Sequence, residues 1–235
     1  MFGFYFDPLY VVMVILPGFV LSGIASTWMK SAFNRYSKVA TRRGFTGAQA
    51  AERLMQQAGI NDVRIVRSQG YLSDHYNPVT RTLALSEQVY GSNSVSAIGV
   101  ACHEAGHALQ HADAYGFLMM RSAFVPVVNF GSGASNLLIM LGFLLQSQQL
   151  LLYGVAAFAL VVLFQLITLP VEFDASARAK RLCVEAGICT LDEQSGVSKV
   201  LTAAAFTYVA AFVSSLLTLL YFLYRAGVFG GGSDD

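Results

Sequence analysis

The residues best suited to chemistry are two histidines and a glutamate in the run His103-Glu104-Ala-Gly-His107. On a helix, positions i and i+4 differ by about 40° in azimuth and about 6 Å in rise, so both imidazoles lie on one face. Two neutral imidazoles in this arrangement can hold one Zn²⁺ at about 2.0–2.1 Å each. Glu104 lies about 100° around the helix from His103, where it can accept a proton from a zinc-bound water. The run therefore predicts a zinc site with a general base beside it.

A catalytic zinc needs a third protein ligand and one open position, and the chain offers three candidates. If the helix continues, His111 lies about 12 Å along its axis from His103, too far to bind the same ion, so a packing or outer role is favoured. His75 could bind substrate or stabilise an oxyanion, or it could be an ordinary surface histidine. Glu172 follows Pro170 at the predicted end of a membrane span, where a carboxylate is costly unless it is paired or coordinates a cation. The alternative for Glu172 is an acid at a helix start, stabilised by the helix dipole, and the ligand role is favoured.

The composition indicates that these residues belong to a membrane protein. Of the 235 residues, 55% are apolar and 12% are charged, about half the charged share of soluble domains. The net charge of +1 gives no indication of a nucleic-acid partner, and three cysteines do not indicate a disulfide framework. Charge-free tracts of 22, 48 and 25 residues cover 8–29, 122–169 and 200–224.

The charge-free tracts predict four transmembrane helices. A bilayer core about 30 Å thick needs roughly 20 helical residues, so the tract of 48 residues holds two spans with a turn near 147–149. The first span is expected to be a retained anchor and not a signal peptide, because the residues before it include an acid and no basic side chain. The predicted spans lie near 8–28, 125–146, 150–170 and 203–224.

The distribution of basic residues predicts the orientation in the membrane. The segment 30–121 carries ten Lys and Arg against six Asp and Glu, the segment 171–199 carries four Lys and Arg, and 147–149 carries none. The positive-inside rule therefore places 30–121 and 171–199 in the cytoplasm and both chain ends outside. Two spans separate the HExxH helix from Glu172, so both are expected on the same membrane face. The tail 226–235 is predicted to be disordered.

A small α+β portion is predicted within 30–121. Residues 46–49 have the pattern of a helix capping box, followed by a helix to about Ala58 that Gly59 closes. Residues 63–67 and 80–86 have strand patterns, separated by a turn signal at Asn77-Pro78. Ser94 is expected to cap a longer helix that reaches about Ala112 and carries the HExxH run.

The predicted fold class is a mainly α membrane protein. It has about four transmembrane helices and a small cytoplasmic α+β portion, like that of zincins, that carries the HExxH helix. The whole chain, 1–235, is expected to form a single membrane-embedded domain.

The run His103–His107 followed by Glu172-x-x-Ala175 resembles the membrane zincins of the HtpX and CAAX-prenyl-endopeptidase type. More closely, the chain resembles the YugP-type neutral zinc metallopeptidases, which are small four-span proteins. The similar stretches extend over most of 46–215; they are Leu72–Pro78, Leu83–Tyr90, Ala101–His111, Leu169–Ser176 and Thr202–Val209.

This resemblance implies His103, His107 and Glu172 as zinc ligands and Glu104 as the general base. The protein is expected to be a multi-pass protein of the bacterial plasma membrane, and the positive-inside rule places its active site on the cytoplasmic side.

One position departs from the wider group, in which an Asp four residues after the ligand Glu holds a zinc imidazole. This chain has Ser176 there. Either Ser176 takes that role or an acidic residue elsewhere does. Asp174 is near in sequence, but on a helix it points about 200° away from Glu172.

The function expected from these features is that of an integral-membrane zinc metallopeptidase of the gluzincin type, with Zn²⁺ as cofactor and polypeptides, including membrane proteins, as substrates. Glu104 would take a proton from water and pass it to the leaving amine. His75, Tyr76 and Tyr208 are candidates for stabilising the oxyanion, although Tyr208 could equally be an interfacial aromatic. The strand at 82–86 could bind an extended peptide along its edge.

Two other functions stay open on the sequence. One is a zinc hydrolase that acts on a lipid or a small amide at the membrane face. The other is a non-catalytic membrane scaffold stabilised by zinc, with His75 or His111 as a fourth ligand, since structural zinc sites are normally closed by four protein ligands. The intact Glu104 speaks against the scaffold.

Overall fold

A computed structural model of the chain describes residues 7–228 and contains seven helices and three short strands in that range. The order is α1 (Pro8–Tyr36, with a π-helical stretch at Val11–Ile15), α2 (Gly47–Gln57), β1 (Arg64–Ser68), β2 (His75–Asn77), β3 (Thr82–Ser86), α3 (Glu87–Tyr90), α4 (Val95–Ala112), α5 (Gly116–Leu144), α6 (Gln148–Glu185) and α7 (Leu191–Arg225).

The protein is a mainly α membrane-type protein, as predicted. Four helices, α1, α5, α6 and α7, are long and apolar enough to cross a membrane. Each extends beyond its predicted span at one end or both, although α5 ends two residues before the predicted position 146. A helix can continue into charged sequence when its polar residues pack or face water.

The largest departure from the sequence expectation is at Pro170, which was expected to end the third span. Instead α6 continues through Pro170 as one helix of 38 residues. A proline removes one backbone hydrogen bond from a helix, but membrane helices tolerate this loss when neighbouring groups compensate it. Glu172 therefore lies in the interior of a helix and not at a helix start, which removes the helix-start explanation of this acid.

Contacts group the chain into two compact units. The first comprises the residues up to Ile24, Met120–Leu169 and the residues from Tyr208 onward. The second comprises Ala25–Met119 and Pro170–Thr207.

The first unit has an aliphatic and aromatic core in which Val14, Ile139, Leu151 and Val155 pack with Phe222. At the end of α7, the N–H of Ala226 donates to the Phe222 carbonyl. Of the predicted disordered tail, only 226–228 is described; the remainder, 229–235, lies outside the described residues.

Asp7 forms the polar contact at one end of the first unit. It accepts hydrogen bonds from the Tyr221 hydroxyl at 2.7 Å and from Arg225 at 2.6 Å.

The second unit is built around α4, which is buried over most of its length. The Ser94 hydroxyl caps this helix by accepting from the Ala97 N–H at 3.3 Å. The predicted capping box at the start of α2 is also present, with Thr46 and Gln49 bonded reciprocally. Gly59 has a φ of 72°, the left-handed conformation predicted for the end of α2.

Three strands form a small sheet in the order β1-β3-β2, in which β3 is parallel to β1 and antiparallel to β2. The sequence pattern predicted β1 and β3 but not β2, which is only three residues long. All of β3 pairs with β1, and Thr82–Ala84 also pairs with β2. The expectation of a free strand edge is therefore wrong for residues 82–84, which pair on both sides, whereas 85 and 86 pair with β1 alone.

The three cysteines, Cys102, Cys183 and Cys189, are buried and free.

Candidate metal centre

Helix α4 carries three of the predicted site residues, and its small side chains allow it to lie close to α6. Gly106, inside the HExxH run, is one point at which α4 contacts α6. A Cβ atom added there would lie 2.9 Å from the backbone oxygen of Ala175, so any larger residue would separate the two helices. Because Ala175 is only three residues beyond Glu172, this contact brings the Glu172 carboxylate to the HExxH face.

The two histidines and Glu172 converge on one point. The Oε2 atom of Glu172 lies 3.2 Å from Nε2 of His103 and 3.7 Å from Nε2 of His107. The imidazole rings are 4.8 Å apart between centroids. Each residue offers one ligand atom, and all three atoms lie within 4.8 Å of one another.

These distances suit a single zinc ion. Ligand atoms at about 2.0–2.1 Å from a tetrahedral zinc are about 3.3 Å apart, close to the two separations at Glu172. The donor set is two imidazole nitrogens and one carboxylate oxygen, which is a set found in catalytic zinc sites. Glu172 is 1% exposed, and a carboxylate buried to this degree is costly unless it is paired with a cation or coordinates one. The three residues therefore fit a zinc ion.

Burial and the neighbouring Glu172 carboxylate have opposite effects on the pKa of His107. Burial disfavours the imidazolium form of His107, but the adjacent Glu172 carboxylate outweighs this effect and raises the pKa of His107. The Glu172 carboxylate thus stabilises a positive charge on or beside the His107 ring. A proton or a metal ion can supply that charge.

A glutamine missed by the sequence reasoning fixes the tautomer of His107. Gln110, which is fully buried, donates from Nε2 to the Val171 carbonyl and to Oδ2 of Asp174, each at 2.8 Å. These two acceptors orient the amide so that Oε1 faces Nδ1 of His107 at 2.9 Å. Nδ1 must then carry the proton, and in the neutral ring Nε2 has the lone pair that a metal ion could accept. The sequence indicates this contact only through the i, i+3 spacing of His107 and Gln110, which places the two side chains on the same face of α4.

The partner of His103 is Ser176, whose Oγ lies 3.2 Å from Nδ1. Asp174 contacts neither imidazole, in agreement with its predicted direction away from Glu172, and reaches the site only through Gln110. Its carboxylate also accepts from Nε of Arg178 at 2.7 Å. The sequence left Ser176 and an acidic residue as possible partners of a ligand histidine. Ser176 contacts His103 directly, whereas Asp174 contacts Gln110, which in turn contacts His107.

Glu104 lies beside the histidines on α4 and is 8% exposed. Burial raises the pKa of Glu104, with smaller contributions from Glu172 and Asp74, whereas the two imidazoles lower it. Within residues 7–228, no protein group donates a hydrogen bond to the Glu104 carboxylate. Its oxygens are thus available to a water molecule.

The other predicted residues are not members of the three-ligand group. His111, in the last turn of α4, bonds through Nδ1 to the Tyr76 hydroxyl at 2.8 Å and is not among the three converging ligands. His75 is exposed on β2, and its Nδ1 lies 2.9 Å from the Ser73 carbonyl. Tyr208 belongs to α7, in the first unit, and is 37% exposed; its catalytic role stays a prediction.

The loop before β2 contains another residue that the sequence reasoning did not select. Asp74 accepts hydrogen bonds from the N–H of Ser86 at 2.7 Å and from the Ser86 hydroxyl at 3.1 and 3.0 Å. These bonds attach the loop to the end of β3 next to the HExxH helix.

The fold and the site define a membrane-type protein in which a buried HExxH helix lies against a glutamate that is distant in sequence. Comparison with known proteins agrees with this class. Residues 11–227 match a family described as "Putative neutral zinc metallopeptidase", and the chain belongs to this family.

A curated relative from Bacillus subtilis (strain 168), "Putative membrane protease YugP", is 49% identical over 215 residues, which are 92% of this chain and 94% of the relative. No solved structure matches the chain significantly. The resemblance predicted from the motifs is therefore confirmed, and together with the four apolar helices it identifies a membrane protein of a zinc metallopeptidase family.

Proposed function

We propose that the protein is an integral-membrane zinc endopeptidase of the gluzincin type, which hydrolyses peptide bonds. The observation that carries this proposal is the convergence of His103, His107 and Glu172 within 4.8 Å of one another beside the buried Glu104. The family and the name of the bacterial relative support the same activity.

Each residue of the cluster has a distinct role in this proposal. The Nε2 atoms of His103 and His107 and the Oε2 atom of Glu172 would hold the ion. A zinc ion bound there would supply a water of lowered pKa and a Lewis acid for the scissile carbonyl. Ser176 and Gln110 keep the Nδ1 protons of the two histidines in place, so that both Nε2 lone pairs stay available.

Glu104 would act as the general base and then as the general acid. It takes a proton from the attacking water and donates it to the leaving amine, so that the peptide C–N bond breaks and an amine and a carboxylate form. The carboxylate is suited to this exchange because burial raises its pKa, and a base is most effective when its pKa lies near the working pH. His75 and Tyr208 are proposed to stabilise the oxyanion.

The site is proposed to face the cytoplasm of a bacterial cell. The support is the excess of basic residues in 30–121 and 171–199, which the positive-inside rule assigns to the inner side. Substrates would then be cytoplasmic polypeptides or the cytoplasmic segments of membrane proteins.

Metal analysis of the purified full chain tests the ligand assignment. The wild type should contain one zinc per chain, Glu172→Ala should lose it, and Glu104→Gln should retain it. Glu185→Ala is the matched control, because Glu185 is an exposed acid on the same helix α6 and its removal should leave the zinc content unchanged. Full zinc occupancy in Glu172→Ala would refute Glu172 as a ligand.

Cleavage assays on the same proteins test the reaction. With casein and membrane-protein fragments as substrates, Glu104→Gln should lower the rate by about 10²–10⁴-fold, the usual contribution of general acid–base catalysis. An undiminished rate would contradict the role of Glu104. If no polypeptide is cut but an ester or a small amide is hydrolysed in a Glu104-dependent reaction, the protein is a zinc hydrolase of another class. Bound zinc with no activity towards either kind of substrate would favour the scaffold.

A further inference from the structure

A cationic cavity lies in the second unit, between the last turns of α1 and the first turns of α7. Its volume is about 350 Å³. The lining residues repeat at helical spacing, so each helix turns one face towards the cavity. They include Trp28, Ser31, Arg35, Ser198, Lys199 and Thr202.

The cavity lies where both helices change from apolar to polar sequence. On α1, Lys30 is the first charged residue after a tract of 22 residues without charge. On α7, Lys199 is the last charged residue before a tract of 25 such residues. Trp28 is 44% exposed and contacts the Phe206 ring at 5.3 Å between centroids. Aromatic and basic residues at such a change mark the boundary between the hydrocarbon core and the headgroups.

The charge of the cavity lacks a protein partner. No acidic residue lines it, and neither Arg35 nor Lys199 forms an ion pair with a carboxylate within residues 7–228. By contrast, Arg178 and Arg81 of the same unit each pair with an aspartate. The guanidinium of Arg35 instead lies 5.9 Å from the centroid of the Tyr36 ring.

This combination matches the chemistry of a phosphate diester carried by a lipid. The Arg35 guanidinium, the Lys199 ammonium and four hydroxyl groups of the lining can donate to phosphate oxygens. The lining offers no carboxylate for the cationic ammonium of a zwitterionic headgroup. The Trp28 ring in the lining, which packs against Phe206, suits the glycerol and upper acyl region of a lipid, and free phosphate has no such apolar part.

We propose that this cavity binds the headgroup of an anionic phospholipid, with Arg35 and Lys199 holding the phosphate and Trp28 contacting the lipid body. Basic pockets between membrane helices are known sites for anionic headgroups. The site is separate from the metal centre, and the proposal does not depend on the peptidase reaction.

Tryptophan fluorescence offers a direct test, because Trp28 is the only tryptophan in the chain. The full-length protein in a neutral detergent is titrated with dihexanoyl phosphatidylglycerol, with dihexanoyl phosphatidylcholine and with inorganic phosphate. Phosphatidylglycerol should change the Trp28 emission with a saturating dependence. The other two additives should produce no saturating change over the same concentration range.

Two double variants separate the cavity from general electrostatic attraction. Arg35→Gln with Lys199→Gln should weaken the response to phosphatidylglycerol by about thirtyfold, as expected for the loss of two cations at a membrane surface. Lys38→Gln with Arg43→Gln removes the same charge outside the cavity and should change the midpoint by less than about threefold. Both variants should keep the wild-type zinc content, which verifies that the metal centre is intact.

Three results would overturn the proposal. Equal responses to phosphatidylglycerol and phosphatidylcholine would show that the headgroup charge is not recognised. Equal weakening in the two double variants would show attraction to the net charge alone. Saturation by inorganic phosphate in the same range would show that the cavity takes the free anion and not the lipid.

Discussion

The side-chain oxygen of Gln110 lies 2.9 Å from Nδ1 of His107 on the same helix, and the amide nitrogen of Gln110 bonds to the neighbouring helix α6. Gln110 is on α4 with the histidine, but both protons of its amide are used by α6, at the Val171 carbonyl and at Asp174. The orientation of a predicted zinc ligand on α4 is therefore set by the backbone and side chains of the helix that carries Glu172. Residues that hold a ligand imidazole in this way affect metal affinity without touching the ion.

Replacing Gln110 should weaken zinc binding. In Gln110→Leu, the Nδ1 proton of His107 loses its acceptor and the imidazole can rotate, so we expect the zinc affinity to fall about 10–100-fold. Competition with a chromogenic chelator measures this change on the purified protein. Gln56→Leu is the control, because Gln56 is exposed on α2 and its loss should not alter the affinity. An unchanged affinity in Gln110→Leu would show that the bond does not position His107.

A methyl group at Gly106 should separate α4 from α6. In Gly106→Ala the new Cβ would lie 2.9 Å from the Ala175 oxygen, and backbone atoms cannot yield cheaply. We expect a loss of about 1–3 kcal/mol in the free energy of unfolding, together with lower zinc content because Glu172 moves with α6. Gly91→Ala is the control, since no atom lies within 4 Å of its added Cβ. Thermal unfolding and metal analysis of both variants test this, and wild-type behaviour of Gly106→Ala would contradict the close contact.

The parts of the fold that could be predicted are those determined by local sequence or by span counting. The Ser94 cap and the capping box at Thr46 were predicted because each depends on residues within one helical turn. The pairing of His103 with Glu172 was expected because two spans between them require a common membrane face.

The features that could not be predicted depend on contacts between distant segments. Gln110 was missed because its role arises from acceptors on α6, more than 60 residues away. Strand β2 was missed because three residues that include a histidine and an asparagine have no strand pattern until β3 lies beside them. Pro170 was expected to end a helix, as it would in water, but in an apolar span a break would expose backbone groups that no solvent could satisfy.

Asp74 should make the stability depend on pH in acid. Burial raises the pKa of Asp74, and the hydrogen bonds from Ser86 only partly oppose this. In the unfolded chain this carboxyl titrates near its ordinary pKa of about 3.9. The folded protein therefore binds the extra proton more tightly, so this contribution to stability is fully present below about pH 3.9 and is lost as the pH rises through the folded-state pKa.

The comparison with Asp74→Asn isolates this effect. The free energy of unfolding of the wild type minus that of the variant should fall as the pH rises from about 3 and become constant above the folded-state pKa. Denaturant unfolding with a chelator present measures it without a contribution from zinc release. In the wild-type background, Ser86→Ala removes a hydrogen bond that lowers the pKa of Asp74, so the decrease in stability should extend to higher pH. In the Asp74→Asn background, Ser86→Ala should have no pH-dependent effect. A difference that grows with pH would contradict the sign.

His111 should prove dispensable for zinc although it continues the i, i+4 series of the two ligand histidines. Its Nδ1 lies 2.8 Å from the Tyr76 hydroxyl, so His111 connects the end of α4 to β2. We expect His111→Ala to retain wild-type zinc content and to lose about 1 kcal/mol of stability, the value of one hydrogen bond, whereas His107→Ala should lose the zinc.

Tyr76→Phe should reproduce the stability loss of His111→Ala, because either change breaks the same bond. In the double variant the two losses should not add, since coupled partners share one interaction energy. Unfolding measurements on the four proteins complete the cycle. Loss of zinc in His111→Ala alone would instead identify a fourth protein ligand, close the coordination position required for water and favour the non-catalytic scaffold.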